Sequence, residues 1–203
     1  MMRLRPRSLL IAALAGLLAG CAGKVPITTT IPDPLVEALP LTVGVVYESD
    51  FSQYTYTEKA TGTDWSINLG DSTTRMFDRV LSKAFAKVVQ LDAVPSEGQT
   101  EAGVDLVLKP SVDEYAFLTP EDSGVDFYSV SIRFQLQAFG PNGVPLDQWD
   151  INSYGRTRSK ALSAKDSLGA ATDLALRDAA ATMALDFKQR PQIRALLPAG
   201  SGT

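Results

Sequence analysis

Very few side chains among these 203 residues could do chemistry. There is one thiol, Cys21, and it closes the run Leu18-Ala19-Gly20-Cys21. Histidine is absent, which removes the usual general base near neutral pH, the Ser-His and Cys-His nucleophile pairs and the commonest zinc ligand. The sequence has no G-x-x-x-x-G-K-[ST], G-x-G-x-x-G or G-x-S-x-G segment and no EF-hand loop. Carboxylates stand in adjacent pairs at Asp113-Glu114 and Glu121-Asp122. Neighbours on a strand point to opposite faces, so these pairs are not expected to converge for hydrolysis. The inventory points away from an enzyme: we expect no catalytic residue, no metal site and no dissociable cofactor.

Aromatic residues are the remaining candidates for recognition. Phe51, Tyr54, Tyr56 and Trp65 fall within one polar stretch, and Trp149 stands between Asp147 and Asp150. Aromatic faces stack on sugars and fill apolar pockets, which makes residues 51–65 a candidate lipid- or glycan-binding segment and Trp149 a candidate contact. Packing over a sheet edge is the competing use of the same side chains.

The setting of Cys21 gives its thiol a specific chemistry. Arg3, Arg5 and Arg7 precede an apolar run, Leu9 to Ala19, with no acid in the first 20 residues. As a helix that run is too short for a hydrocarbon layer of about 30 Å, so it reads as a cleaved targeting segment. Leu-Ala-Gly-Cys resembles a bacterial lipobox, in which the cysteine receives a diacylglycerol, becomes the first mature residue and is then N-acylated. One acyl chain holds a protein marginally, whereas two or three make a lasting anchor. Residue 22 is Ala; by resemblance to enteric lipoproteins, where Asp at this place retains the product at the inner membrane, the implied address is the outer membrane, facing the periplasm.

Removal of residues 1–20 takes three of 19 basic residues and none of 23 acids, leaving 16 − 23 = −7. That balance disfavours nucleic acid and anionic headgroups as partners. With Cys21 consumed by lipid, no thiol remains for disulfides, and stability must come from packing. The length suits one domain with a real core. We divide the chain into a signal peptide (1–20), a lipidated Cys with a proline-rich tether (21–40), a single domain (41–190) and a flexible tail (191–203). The tether rests on Pro26, Pro32, Pro34 and Pro40, whose spacing favours extended backbone, with packing on the domain as the alternative for Leu35 to Leu39.

Within the domain, Leu41 to Tyr47 is β-branched and apolar, as expected of a central strand. After the aromatic excursion, Asp71-Ser72 offers an N-cap for a helix whose apolar rows, Met76/Val80/Ala84/Val88 and Phe77/Leu81/Phe85/Val89, run at spacing four. A strand starts near Val104 and meets Pro110, which should bend it or set it at an edge. Tyr128 to Ala138 alternates cleanly, Gly140-Pro141-Asn142-Gly143 supplies a turn, and a strand near 145–157 should pair back antiparallel. Ser163 opens an Ala-rich helix to about Lys188 with Leu168, Ala171, Ala175, Leu176, Ala179, Met183 and Phe187 inward, and Pro191 should end it.

This order predicts an α+β two-layer sandwich, a mainly antiparallel sheet with two helices packed on one face. The segments L-T-V-G-V-V (41–46), F-A-K-V-V (85–89) and V-D-L-V-L-K-P (104–110), with the Ala-rich last helix after G-P-N-G, resemble periplasmic lipoprotein domains of the TolB N-terminal-domain-like fold. Curli-secretion, synthase-activator and exopolysaccharide-export lipoproteins share that fold. The resemblance implies a non-enzymatic accessory or scaffold protein that binds other envelope proteins, in some cases as a homo-oligomer. No pair of long amphipathic hairpins is present to build a transmembrane barrel.

Overall fold

The apolar run Leu39–Val46 forms β1 and lies between β4 (Phe85–Leu91) and β5 (Leu106–Leu118), parallel to both. A computed structural model describes residues 24–28, 30–60, 63–96, 98–159 and 163–198. β5 pairs antiparallel with β6 (Phe127–Phe139), and β6 with β7 (Pro145–Arg158), giving the sheet order β4-β1-β5-β6-β7. β1 is thus central, as its composition requires, and the antiparallel meander supplies the three longest strands. Helices α2 (Gly70–Ala84) and α4 (Ala164–Asp186) cover one face, so the architecture is the expected α+β sandwich.

Alternation in β6 sorts the sheet into two unlike surfaces. Tyr128, Val130, Ile132, Phe134, Leu136 and Ala138 are buried under the helices. Their neighbours in β7, Trp149, Ile151, Ser153 and Gly155, face the same way and are buried too. Helix α4 then comes down on β7 backbone to backbone: a Cβ on Gly155 would lie 2.0 Å from the carbonyl oxygen of Ala171 and 2.4 Å from the nitrogen of Ala175. Small residues on the inner face of α4 permit this approach, and all seven expected inward residues are buried. Ser163 caps the helix, its hydroxyl accepting from the Asp166 amide at 3.2 Å.

Several elements differ from the expectation. Helix α2 starts at Gly70, with Leu69 rather than Asp71 or Ser72 at the N-cap, and stops at Ala84. Phe85 is already extended (φ −129°, ψ 150°), because Phe85 to Leu91 pairs in parallel with β1 and exchanges helical hydrogen bonds for a sheet ladder. For Pro110 the edge alternative holds, within a strand that continues past it. Pairing with β1 reaches only Leu108, so proline sits where one side of the strand has no partner, and β6 pairs with β5 through to Leu118. A bulge between Val112 and Glu114 then shifts the alternation from even to odd residues, so that Tyr115 is again buried beneath α4.

Between β1 and α2 the chain forms a short helix, α1 (Ser49–Ser52), and a hairpin of β2 (Thr55–Ala60) and β3 (Thr63–Asn68). The hairpin belongs to the helical layer, since Tyr56 lies against Tyr115 and Phe117, and Trp65 against Phe117. On the other face, the 92–105 connection folds over one end of the sheet, where Val46, Val104 and Val107 form a small second core with Leu91, Val94 and Phe139.

The segment expected to be a free tether lies on the domain. Lys24 bridges to Ser66 of β3 and the Val25 amide donates to the Ser66 carbonyl at 3.0 Å. Thr28 donates to Asp173 of α4, Asp33 pairs with Arg79 and Lys83 of α2, and Glu37 pairs with Lys188. Val25 and Ile31 are buried in the main core. Extended backbone is what prolines favour, and an extended chain with spaced apolar residues fits the groove between two helices. At the other end, residues 191–194 form α5 (Pro191–Arg194) after a 3₁₀ turn, and its Ile193 is fully buried, so this part of the expected tail is also packed.

Candidate functional site

Cys21 lies outside the described residues, so its role rests on the sequence. The aromatic candidates are within them, and the fold uses most of them as core. Phe51, on α1, is 1% exposed, stacks on Tyr47 at 5.6 Å and meets Phe77 edge-on at 5.3 Å. Trp65 is 6% exposed, with Phe117 against its ring at 5.4 Å. Trp149 is buried between Phe187 at 6.3 Å and the Arg190 guanidinium at 4.7 Å. These three rings have no free face for a sugar or an acyl chain, which overturns their assignment as ligand contacts.

Tyr54 and Tyr56 are half-buried, and the Tyr56 ring covers Tyr115. Burial first, then the hydrogen bond its hydroxyl donates to Glu58 at 2.6 Å, pushes the Tyr56 phenol up to about 12. Burial raises Tyr115 as well, against the opposing effect of its 2.8 Å bond with Thr172. Such phenols stay protonated at any physiological pH, which suits hydrogen-bonding pegs rather than proton-transfer groups.

The acidic pairs are equally committed. Glu121 and Asp122 belong to α3 (Pro120–Ser123), where Thr119 and Asp122 form a reciprocal capping box. Bonds from the Thr119 hydroxyl and amide hold the Asp122 carboxyl below the usual aspartate range. Asp113 and Glu114 do converge, against the expectation from strand alternation, because the bulge turns both toward the open face of the sheet. They meet on Arg133 of β6, at 2.5 Å and 2.9 Å. A guanidinium held by two carboxylates is an electrostatic clamp.

Beyond that clamp extends the polar face of the sheet, which the β6 alternation turns toward solvent or a partner. The open face of β5, β6 and β7 is polar: Gln137 donates to Gln148 at 3.1 Å, Tyr154 donates to Ser129 at 3.1 Å, and Arg156 lies 3.6 Å over the Phe127 ring. Gln135 and Asn152 also belong to this face. At its outer edge the Tyr154 amide donates to Asp178 of α4 at 2.9 Å. The signal for this surface is the polar half of the β6 alternation.

Concave sites do not compete with it. The groove of about 600 Å³ beside α2 is open, and its ionic lining is engaged: Arg79 with Asp33, Asp78 with Tyr47 and Arg75 with Ser72. Among the described residues there is no cluster of three acidic, Cys or His residues able to hold a metal ion, and no helix is long and apolar enough to cross a membrane.

No protein-family model matches the sequence, and no curated protein does. Solved structures do resemble the chain. A minor lipoprotein of Acinetobacter baumannii aligns over 81% of this chain and 97% of its own, at 10% identity and a TM-score of 0.44. A Xanthomonas campestris protein of the DUF330 family aligns over 79% of this chain and 90% of its own, at 11% identity and a TM-score of 0.51. The likeness to the Xanthomonas protein is one of fold, and it extends across nearly all of that protein.

Proposed function

We propose that this chain is a lipid-anchored protein of the outer membrane, facing the periplasm, that serves an envelope transport, assembly or secretion machine as an accessory or scaffold. It acts by binding other proteins, a second copy of itself among them, and not by catalysis. The anchor is the acylated Cys21, supported by the leader that precedes it and by the lipobox-like Leu18-Ala19-Gly20-Cys21. The observation that carries the binding role is the open face of β5 to β7, a broad polar surface on a domain whose acidic pairs and buried aromatic rings are tied to neighbours. The resemblance to TolB N-terminal-domain-like lipoprotein domains supports the same reading.

A photo-crosslinking amino acid at Gln135 or Asn152, in cells that make the full chain, tests it. Reproducible adducts with envelope proteins or with a second copy are expected from membranes. A strictly monomeric protein giving no adduct at either position would count against the scaffold role.

A further inference from the structure

The packed N-terminal segment constrains how the domain sits once Cys21 is acylated, a constraint that rests on the lipid anchor proposed for that residue. Only residues 22 and 23 separate Cys21 from Lys24, which is fixed to β3. Three residue steps of extended chain reach about 10 Å. The free tether expected from composition, with a reach of tens of ångströms, is replaced by a leash of that length.

Lys24 marks one end of the molecule. Its partner Ser66 follows Trp65, which packs on Phe117 near the end of β5. Next to it Pro26 lies against Gly169 in the first turns of α4, and the same end holds the β5–β6 connection and the last residues of β7. Leu118 and Val125 flank α3 on that connection and are 52% and 51% exposed. About half of each side chain is left open to solvent. Described charges near this end are Lys24, Lys59, Arg158 and Lys165 against Glu58, Asp64, Glu121, Asp122, Asp126 and Asp166, an acidic excess, so electrostatic attraction to anionic lipid is not what would hold it.

We propose that the β5–β6 end of the domain is its membrane-apposed surface, with Leu118 and Val125 seated in the headgroup region of the bilayer that carries the acyl chains of Cys21. A leash of about 10 Å leaves little other surface within reach, and small apolar groups at the headgroup boundary gain by leaving water. The long strands then run away from the membrane. At 13 residues β6 spans about 40 Å, which puts the β6–β7 turn and Val144 at the far end.

The test uses full-length protein with acylated Cys21, reconstituted in phosphatidylethanolamine/phosphatidylglycerol vesicles that contain a headgroup-nitroxide lipid. Cys21 is the only native cysteine, so single Leu118→Cys, Val125→Cys and Val144→Cys variants each offer one free thiol for an environment-sensitive fluorophore. Fluorophores at 118 and 125 should be quenched several times more strongly than the one at 144. Equal quenching at all three positions in acylated, vesicle-bound protein would overturn the docking geometry and leave the anchor standing. Absence of the acyl mass on Cys21, with the protein free of vesicles, would overturn the anchor and the docking with it.

Discussion

The contact between α4 and β7 makes a sharp prediction. A Cβ placed on Gly155 would lie 2.0 Å from a backbone oxygen of α4 and 2.4 Å from a backbone nitrogen. Main-chain atoms in the middle of a helix cannot rotate away, so in Gly155→Ala the helix must withdraw by about 1 Å along its line of contact. Leu168, Ala171, Ala175, Leu176 and Ala179 would all lose close packing together. Overpacking of this kind costs about 1–3 kcal/mol, and a backbone clash spread over a 23-residue helix belongs at the upper end. For a domain of this size, about 3 kcal/mol lowers the midpoint of thermal unfolding by roughly 6–12 °C.

Gly44→Ala is the matched control. There the added carbon meets the Leu91 side chain at 2.6 Å, whose end can turn aside. That variant should cost about 1 kcal/mol or less, partly offset by the lower entropy of its unfolded chain. Both tryptophans, Trp65 and Trp149, are buried, so their fluorescence in urea reports the two transitions. Equal stability of Gly155→Ala and Gly44→Ala would refute the reasoning that backbone contact sets the position of α4.

Other consequences are open to measurement. Phe51→Ala should lose about 3–5 kcal/mol in urea unfolding, because the ring is enclosed by Tyr47 and Phe77; a ligand contact would instead leave stability unchanged. Arg133→Ala should leave the urea midpoint close to that of wild type, its ion pairs being largely exposed, while reducing crosslinking through the open face. Thr119→Ala removes the hydroxyl bond to the Asp122 carboxyl and keeps the amide bond, so NMR titration should show its pKa rising part of the way toward the ordinary aspartate value. The sign is set by linkage: a depressed carboxyl stabilises the fold above the unfolded pKa, and that contribution vanishes as pH falls through the folded value, so wild type should lose more stability on acidification than the variant. Cys21→Ser should release the protein from membranes and abolish its acyl mass.

Local pattern makes some of this fold legible and leaves the rest hidden. The strict alternation of β6 and the small-residue face of α4 are readable because each obeys a single period and buries one face. Phe85-Ala86-Lys87-Val88-Val89 is not, since its apolar positions continue the helical rows equally well, and only the nonlocal parallel ladder with β1 decides for a strand. Proline spacing predicts extended backbone before β1 but says nothing of what that backbone lies on; Val25 and Ile31 are the apolar signal that it packs. Aromatic content at 51–65 likewise cannot separate a platform from a core, and the bulge at Val112/Glu114 that brings two acids to one guanidinium is visible in sequence only as a slipped parity.

The bond between the Tyr154 amide and Asp178 bears on how any partner must arrive. β7 is a 14-residue edge strand, and strands of that length recruit others by extending their ladder. Here a carboxylate from α4 already occupies an outward amide well along the strand. An incoming strand would have to break a charge-assisted bond and leave a carboxylate stranded, so lateral polymerisation through this rim is blocked where its register would be set. If the proposed anchor crowds molecules on a membrane surface, this bond stands against their aggregation in that way, and the proposed association would fall to the broad side of the sheet.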